Sequence, residues 1–269
     1  IAAAQTIRDS GIDFSGEIIF THIAYHEMQN TDLKGTLRLI TDGFTADMCI
    51  NGEGTYGRRI CVAGNGMCEV LITTHGISAH GSTPEKGVNA ISKMYKIINK
   101  IKEIEVSNNK YTGKGSVVIG TIKGGERSSV VPELCTLRVS SFLIPGDSGE
   151  IFLEKIKCII RDLEKEDTEL NAQAELTYNS KSHQISLDEP IVQNIIRAHE
   201  YLGYDFEISG TPQHCDADYM VNEASIPTVI FGPGQGHLAH MPDEYVEIED
   251  LIRVAKVYIV TACLILSEN

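Results

Sequence analysis

Six segments in the middle of this chain leave it few folds to choose from. Residues 67–74, 116–122, 134–144 and 172–178 are short aliphatic runs that read as strands. Residues 89–104 read as a helix, with Ile91, Met94, Ile97, Ile98 and Ile101 at helical spacing. Residues 149–163 read as another, with Ile151, Leu153, Ile156, Ile159, Ile160 and Leu163 on its apolar face. The order is strand, helix, strand, strand, helix, strand, which predicts a compact ferredoxin-like sandwich over residues 66–180.

The flanks follow a different rule. Residues 16–24 read as a strand, followed by a helical stretch to about Asp42-Gly43 and a buried strand at 46–52. After a polar link at 179–184 the βα alternation resumes and ends in an apolar helix that still carries Arg253 and Lys256. Such alternation predicts an α/β domain, a mixed sheet covered by helices. The expected organisation is therefore residues 1–65 with 181–269 as one domain, and residues 66–180 inserted into it. Residues 1–11 read as the end of a helix stopped by Gly11, without a start signal, which predicts sequence upstream of Ile1.

One stretch of the outer domain carries the chemistry. A short apolar run, Ile226 to Phe231, ends in Gly232, Gly234 and Gly236, and His237 and His240 follow. Glycines let a backbone turn sharply and approach a ligand closely. Open α/β sheets build their sites outside the carboxyl ends of strands. A polar surface loop with incidental histidines is the plainer alternative. Glu27 and Glu53 stand at the ends of two other expected strands, so Glu27, Glu53 and His240 are expected to converge at one sheet edge. Mixed carboxylate and imidazole ligands suit zinc, and also manganese or cobalt. Taken singly, Glu27 and Glu53 are ordinary solvated carboxylates. His22, His75, His183 and His199 read as ordinary core or surface histidines.

The formal net charge of −14 argues against nucleic acid or anionic membrane as a partner. No apolar run is long enough to span a bilayer. The seven cysteines are scattered and form no C-x-x-C pair. They read as reduced, mostly buried thiols of a cytoplasmic protein.

Several motifs, in order along the chain, resemble those of M20-family metallohydrolases, the group of acetylornithine deacetylase, succinyl-diaminopimelate desuccinylase, aminoacylase and glutamate carboxypeptidase. Phe20 to Glu27 resembles a strand ending in Asp-Glu-Glu, and Gly52-Glu53 resembles Gly-Glu-Pro. The run from Ser78 to Ala90 matches almost residue for residue. Gly124-Gly125 followed by Ser129-Val-Val-Pro132 resembles Gly-Gly…Asn-Val-Val-Pro, and Cys215-Asp-Ala217 resembles Thr-Asp-Ala. Phe231-Gly-Pro-Gly and Ala239-His-Met-Pro-Asp-Glu-Tyr-Val246 again match closely.

The resemblance implies a hydrolase of an amide or peptide bond in an N-acyl amino acid or short peptide. It implies two zinc ions and a bridging water, with Glu27 and His240 on one metal and Glu53 on the other. His80 resembles the histidine that reaches into a partner subunit's site and stabilises the oxyanion, which implies a homodimer through residues 66–180. Asn89, Arg127, Ser129 and Gly234 are the expected substrate contacts. Four departures stand beside this. The family's other metal histidine and bridging aspartate fall upstream of Ile1. Its general-base glutamate falls at His26, whose imidazole, titrating at about 6.5, can still accept a proton. Its asparagine is Ser129, and its Asp-x-Arg is Ser140-Ser-Phe142, which leaves Arg127 as a substitute cation. The alternative function is a catalytically inactive M20-like protein serving as a dimeric binding module. A phosphate loop at Gly232–Gly236 is disfavoured, because no Gly-Lys-Ser/Thr follows.

Overall fold

The structure is a computed structural model and describes residues 1–23, 35–239 and 241–267. In chain order its elements are α1 (Ala2–Asp9), α2 (Gly35–Thr41), β1 (Cys49–Asn51), β2 (Arg59–Gly64), β3 (Gly66–His75) and α3 (Ala90–Ile101). Then come β4 (Asn108–Asn109), β5 (Gly113–Lys114), β6 (Ser116–Gly124), β7 (Leu134–Leu143), α4 (Gly149–Glu166) and β8 (Asn171–Ser180). The last are β9 (His183–Gln184), α5 (Pro190–Leu202), β10 (Glu207–Thr211), α6 (Ala217–Asn222), β11 (Thr228–Ile230) and α7 (Ile248–Leu266). Two compact units result: Ile1–Gly64 with Lys110–Gly113 and His183–Asn269, and Asn65–Asn109 with Lys114–Ser182. The four residues Lys110–Gly113 join the first because Gly210 N–H donates to the Tyr111 carbonyl at 3.1 Å.

The second unit is a four-stranded antiparallel sheet in the order β6-β7-β3-β8. Numbered within the unit the order is 2-3-1-4, the split βαβ arrangement of a ferredoxin-like sandwich. Along β7, Cys135, Leu137, Val139, Ser141 and Leu143 are buried while the residues between them are not, as a half-buried strand requires. The apolar ones, Cys135, Leu137, Val139 and Leu143, meet α3 and α4 in one core with Val70, Ile72, Met94 and Ile97. Each buried aliphatic side chain contributes about 1.5–3 kcal/mol. Asn89 caps α3, its Oδ1 accepting from Ser92 N–H at 3.1 Å, and Ser148 caps α4 in the same way. The buried stripe of α4 is Phe152, Ile156, Ile160 and Leu163, whereas Ile151 is exposed. Ile91 of α3 is exposed too. Both belong to the expected apolar faces; in α4 the first turn buries Phe152 in place of Ile151.

The first unit holds a mixed sheet in the order β1-β11-β2-β10, with β9 paired to β2. β1 runs parallel to β11, β10 parallel to β2, and β11 meets β2 in an antiparallel bridge at Ile230↔Cys61. Helices α5 and α7 pack with Ile60, Val62, Val229 and Phe231 into its core. The strand expected at 16–24 is a correction. Its described residues, 16–23, form no ladder, and Ile18, Ile19 and Phe20 are exposed. An apolar run becomes a strand only where a neighbouring edge accepts it. Gly11 does end α1, at φ +68°. All seven cysteines are free. Among the described residues no helix is long and apolar enough to cross a membrane.

Candidate active site

Because β1 and β11 are parallel, with Asn51 opposite Ile230, their carboxyl ends share one edge of the sheet. Glu53 lies two residues past β1 and is exposed. The loop that carries it is tied to the glycine turn after β11. Thr55 N–H and Gly57 N–H both donate to the Gly232 carbonyl at 3.1 Å, and Tyr56 N–H donates to the Gly234 carbonyl at 2.8 Å. Thr55 Oγ1 accepts from Gly232 N–H at 3.1 Å. Only glycine fits at 232, since a Cβ there would stand 2.5 Å from the Glu53 carbonyl oxygen. Gly234 adopts φ +87°, in the left-handed region. From α7, Tyr258 Oη donates to the Phe231 carbonyl and fixes the point where the turn begins. Burial lifts the Tyr258 phenol far above its ordinary titration range.

Tyr56 itself sits at φ +61°. A non-glycine residue there costs about 1 kcal/mol. Its hydroxyl meets His237 Nδ1 at 2.7 Å, and the two rings stack with centroids 5.9 Å apart and planes inclined by 14°.

A second cluster borders the turn. Gln213 Nε2 donates to the Gly236 carbonyl at 2.8 Å. Next to it, His214 Nδ1 lies 3.1 Å from the buried Asp218 Oδ2. The Cys215 thiol between them is pushed well above its ordinary range by burial, and the carboxylates of Asp218, Glu53 and Asp216 push it further. Cys215 is thus held as a neutral thiol within the electrostatic reach of Glu53. His183 is buried behind this cluster, with neither ring nitrogen hydrogen-bonded in the structure. Burial, opposed by Asp218 and helped by His214, brings its imidazole down to about 4.

In the second unit, His80 bridges to Val130, and Gly81 N–H donates to the Ser129 carbonyl at 2.7 Å. Val130 N–H donates to the Arg127 carbonyl at 3.2 Å. His80, Ser129 and Arg127 thus share one exposed loop cluster. His80 Nδ1 accepts from Ser82 N–H at 3.1 Å, so the ring's own hydrogen sits on Nε2.

Of the residues expected from the sequence, Glu53 and Gly234 come together at one sheet edge. His80, Arg127 and Ser129 come together in the second unit, and Asn89 serves as a helix cap nearby in the chain. His26, Glu27 and His240 lie outside the described residues. Among the described residues no three His, Cys, Asp or Glu side chains are gathered as a metal site. The sequence reading missed the Tyr56–His237 pair, which has no signal in spacing. It also missed His214 and Asp218, whose four-residue spacing is a visible one.

Residues 62–168 match the peptidase dimerisation domain of the M20 family. The chain carries an M20 dimerisation domain. Its curated homologues include an acetylornithine deacetylase of Myxococcus xanthus, 25% identical over 238 residues, a match covering 84% of this chain and 60% of that protein. Among solved structures, a tripeptidase from Staphylococcus aureus matches at a TM-score of 0.75 and 21% identity, covering 98% of this chain and 68% of that one. The YXEP protein of Bacillus subtilis, a dinuclear metal-binding M20 peptidase, matches at a TM-score of 0.67 and 15% identity, covering 92% and 64%. The structural matches establish the fold. The chain spans 60–65% of the length of the first curated relatives it matches.

Proposed function

We propose that this chain forms most of a metal-dependent hydrolase that cleaves an amide or peptide bond in an N-acyl amino acid or short peptide. The observation that carries the reading is the close packing of the Glu53 loop on the glycine turn that leads to His240. It sets an exposed carboxylate beside a bare glycine backbone, and carboxylate with imidazole is a donor set suited to zinc. Glu27 and His240 would hold one zinc ion and Glu53 the other, with cobalt or manganese as alternatives. When bound, a metal of this kind supplies a Lewis acid and lowers the pKa of its water to about 7.

The chain's own residues would do the rest. His26, at the general-base position, accepts a proton. His80, acting from residues 66–180 of a second copy, donates its Nε2 hydrogen to the carbonyl oxygen as charge develops there. Arg127 pairs with a substrate carboxylate, while Ser129, Asn89 and Gly234 supply polar contacts. His26 in place of a glutamate is the observation that favours the second reading, a dimeric binding module without turnover.

The test is the zinc content of the purified chain after metal-free dialysis and reloading, together with amine release from a panel of N-acyl amino acids and dipeptides. Tight zinc, lost in Glu53→Gln, with turnover supports the hydrolase. Zinc without turnover supports the binding module. No uptake of zinc, cobalt or manganese overturns both the metal assignment and the hydrolase.

A further inference from the structure

We infer that Tyr56 and His237 are positioning residues, a clasp that fixes the spacing between the Glu53 loop and the turn leading to His240. The inference rests on the proposed reading in so far as it makes those two residues ligands. Tyr56 comes three residues after Glu53, and His237 three before His240. A bond between Tyr56 and His237 therefore acts on the segments that carry both.

The backbone bonds between the two loops run from Thr55 to Gly57 on one side and from Gly232 to Gly234 on the other. With the bridge between Thr55 and Gln235 they stop at Gln235. Past that point the turn continues as a single helical turn, Gly236–Leu238. His237, within that turn, carries the connection onward by its side chain, at 2.7 Å from the Tyr56 hydroxyl.

The backbone of Tyr56 points the same way. Residues 56 and 57 are both left-handed, at φ +61° and +56°. A glycine at 56 would make that turn without strain. What a glycine would lose is the phenol, both its hydrogen bond and its stacked ring. Strained backbone of this kind persists where the surroundings over-determine it. Here the surroundings are the Gly234 carbonyl bound by Tyr56 N–H and the imidazole bound by its hydroxyl. Groups that hydrogen-bond metal ligands directly affect metal affinity by about 10- to 100-fold when lost, and a clasp three residues from each proposed ligand acts at the low end of that range.

The experiment uses the full chain and the variants Tyr56→Phe, His237→Gln, their combination, and Tyr56→Gly. Amide hydrogen exchange is read over residues 232–239, and zinc affinity by competition with a chromophoric chelator. Tyr56→Phe and His237→Gln should each speed exchange several-fold and weaken zinc binding about tenfold. The double variant should add little to either, because both remove the same bond. Tyr56→Gly, which loses the stacked ring as well as the hydrogen bond, should equal or exceed Tyr56→Phe in both effects. A residue needed only for the turn would instead make Tyr56→Gly as good as the parent. Wild-type exchange and affinity in Tyr56→Phe would overturn the clasp. A parent chain that takes up no zinc counts against the metal reading, and exchange alone then decides the clasp.

Discussion

Gly232 lies against Gly52: a Cβ on Gly232 would stand 2.3 Å from the Gly52 carbonyl oxygen. No side chain tolerates that approach, and both partners are backbone, so neither can swing aside. Gly232→Ala is expected to cost about 3 kcal/mol or more and to part the two loops. Urea denaturation gives the stability, and zinc uptake reports the loops. An unchanged unfolding midpoint would show that the junction is looser than these distances require.

His80→Ala should leave stability unchanged, since the side chain is exposed and bonded only within its own loop. Loss of one oxyanion donor lowers kcat by about 100-fold. KM should change little, because that bond strengthens only as charge develops. Steady-state kinetics on any substrate found in the panel separates the two. A raised KM with unchanged kcat would make His80 a ground-state contact instead.

His183 makes folding pH-dependent. Its folded pKa, about 4, lies below the unfolded value of 6.5, so the unfolded chain binds the extra proton first. The fold therefore loses stability as pH falls from 6.5 toward 4, by about 3 kcal/mol over the whole window, and gains nothing above it. Denaturation at a series of pH values should show that slope. His183→Leu should flatten it. An equal slope in the variant would assign the effect to other groups.

Lys93 Nζ donates to both oxygens of Asp167 at 2.8 Å and to Glu169 at 3.1 Å, in a region where Lys93 and Asp167 are mostly covered. Lys93→Met leaves Asp167 with Lys96 as its one cation and the Glu169 N–H as its other donor. The expected loss is about 2–3 kcal/mol at neutral pH. Lys93, and after it Lys96, hold the Asp167 carboxyl well below the usual carboxylate range. That stabilisation is full above the unfolded aspartate value and disappears as pH falls through the depressed one. Acid denaturation of the variant should accordingly begin from a lower plateau and fall less steeply below about pH 4.

The sandwich was legible because its strands alternate and its helices carry complete apolar stripes. The residues that defeated the reading are those whose fate depends on a distant partner. Ile18 to Phe20 look like a strand but meet no ladder in the described residues. Ile151 looks like core, yet Phe152, one position away, takes the buried place. At the site, Gly232 could be recognised as a place of close approach, but not what it would approach. Tyr56 gave no sign at all, because its left-handed backbone and its bond to His237 arise only when two loops 176 residues apart (232 − 56) meet. His214 and Asp218 stand four residues apart, but His214 precedes α6 and only Asp218 lies in its first turn, so it is the loop entering the helix that brings them together.

The amide that Ser82 lends to His80 has a consequence for kinetics. Protonation of the ring would take Nδ1 away from the Ser82 amide and put a positive charge behind the Nε2 hydrogen that the proposed reaction uses. Whatever loosens Ser82 from His80 therefore also changes the strength of that donor. A limb in the pH–rate profile of the proposed reaction would belong to His26 or to His80, and substituting each in turn would separate them.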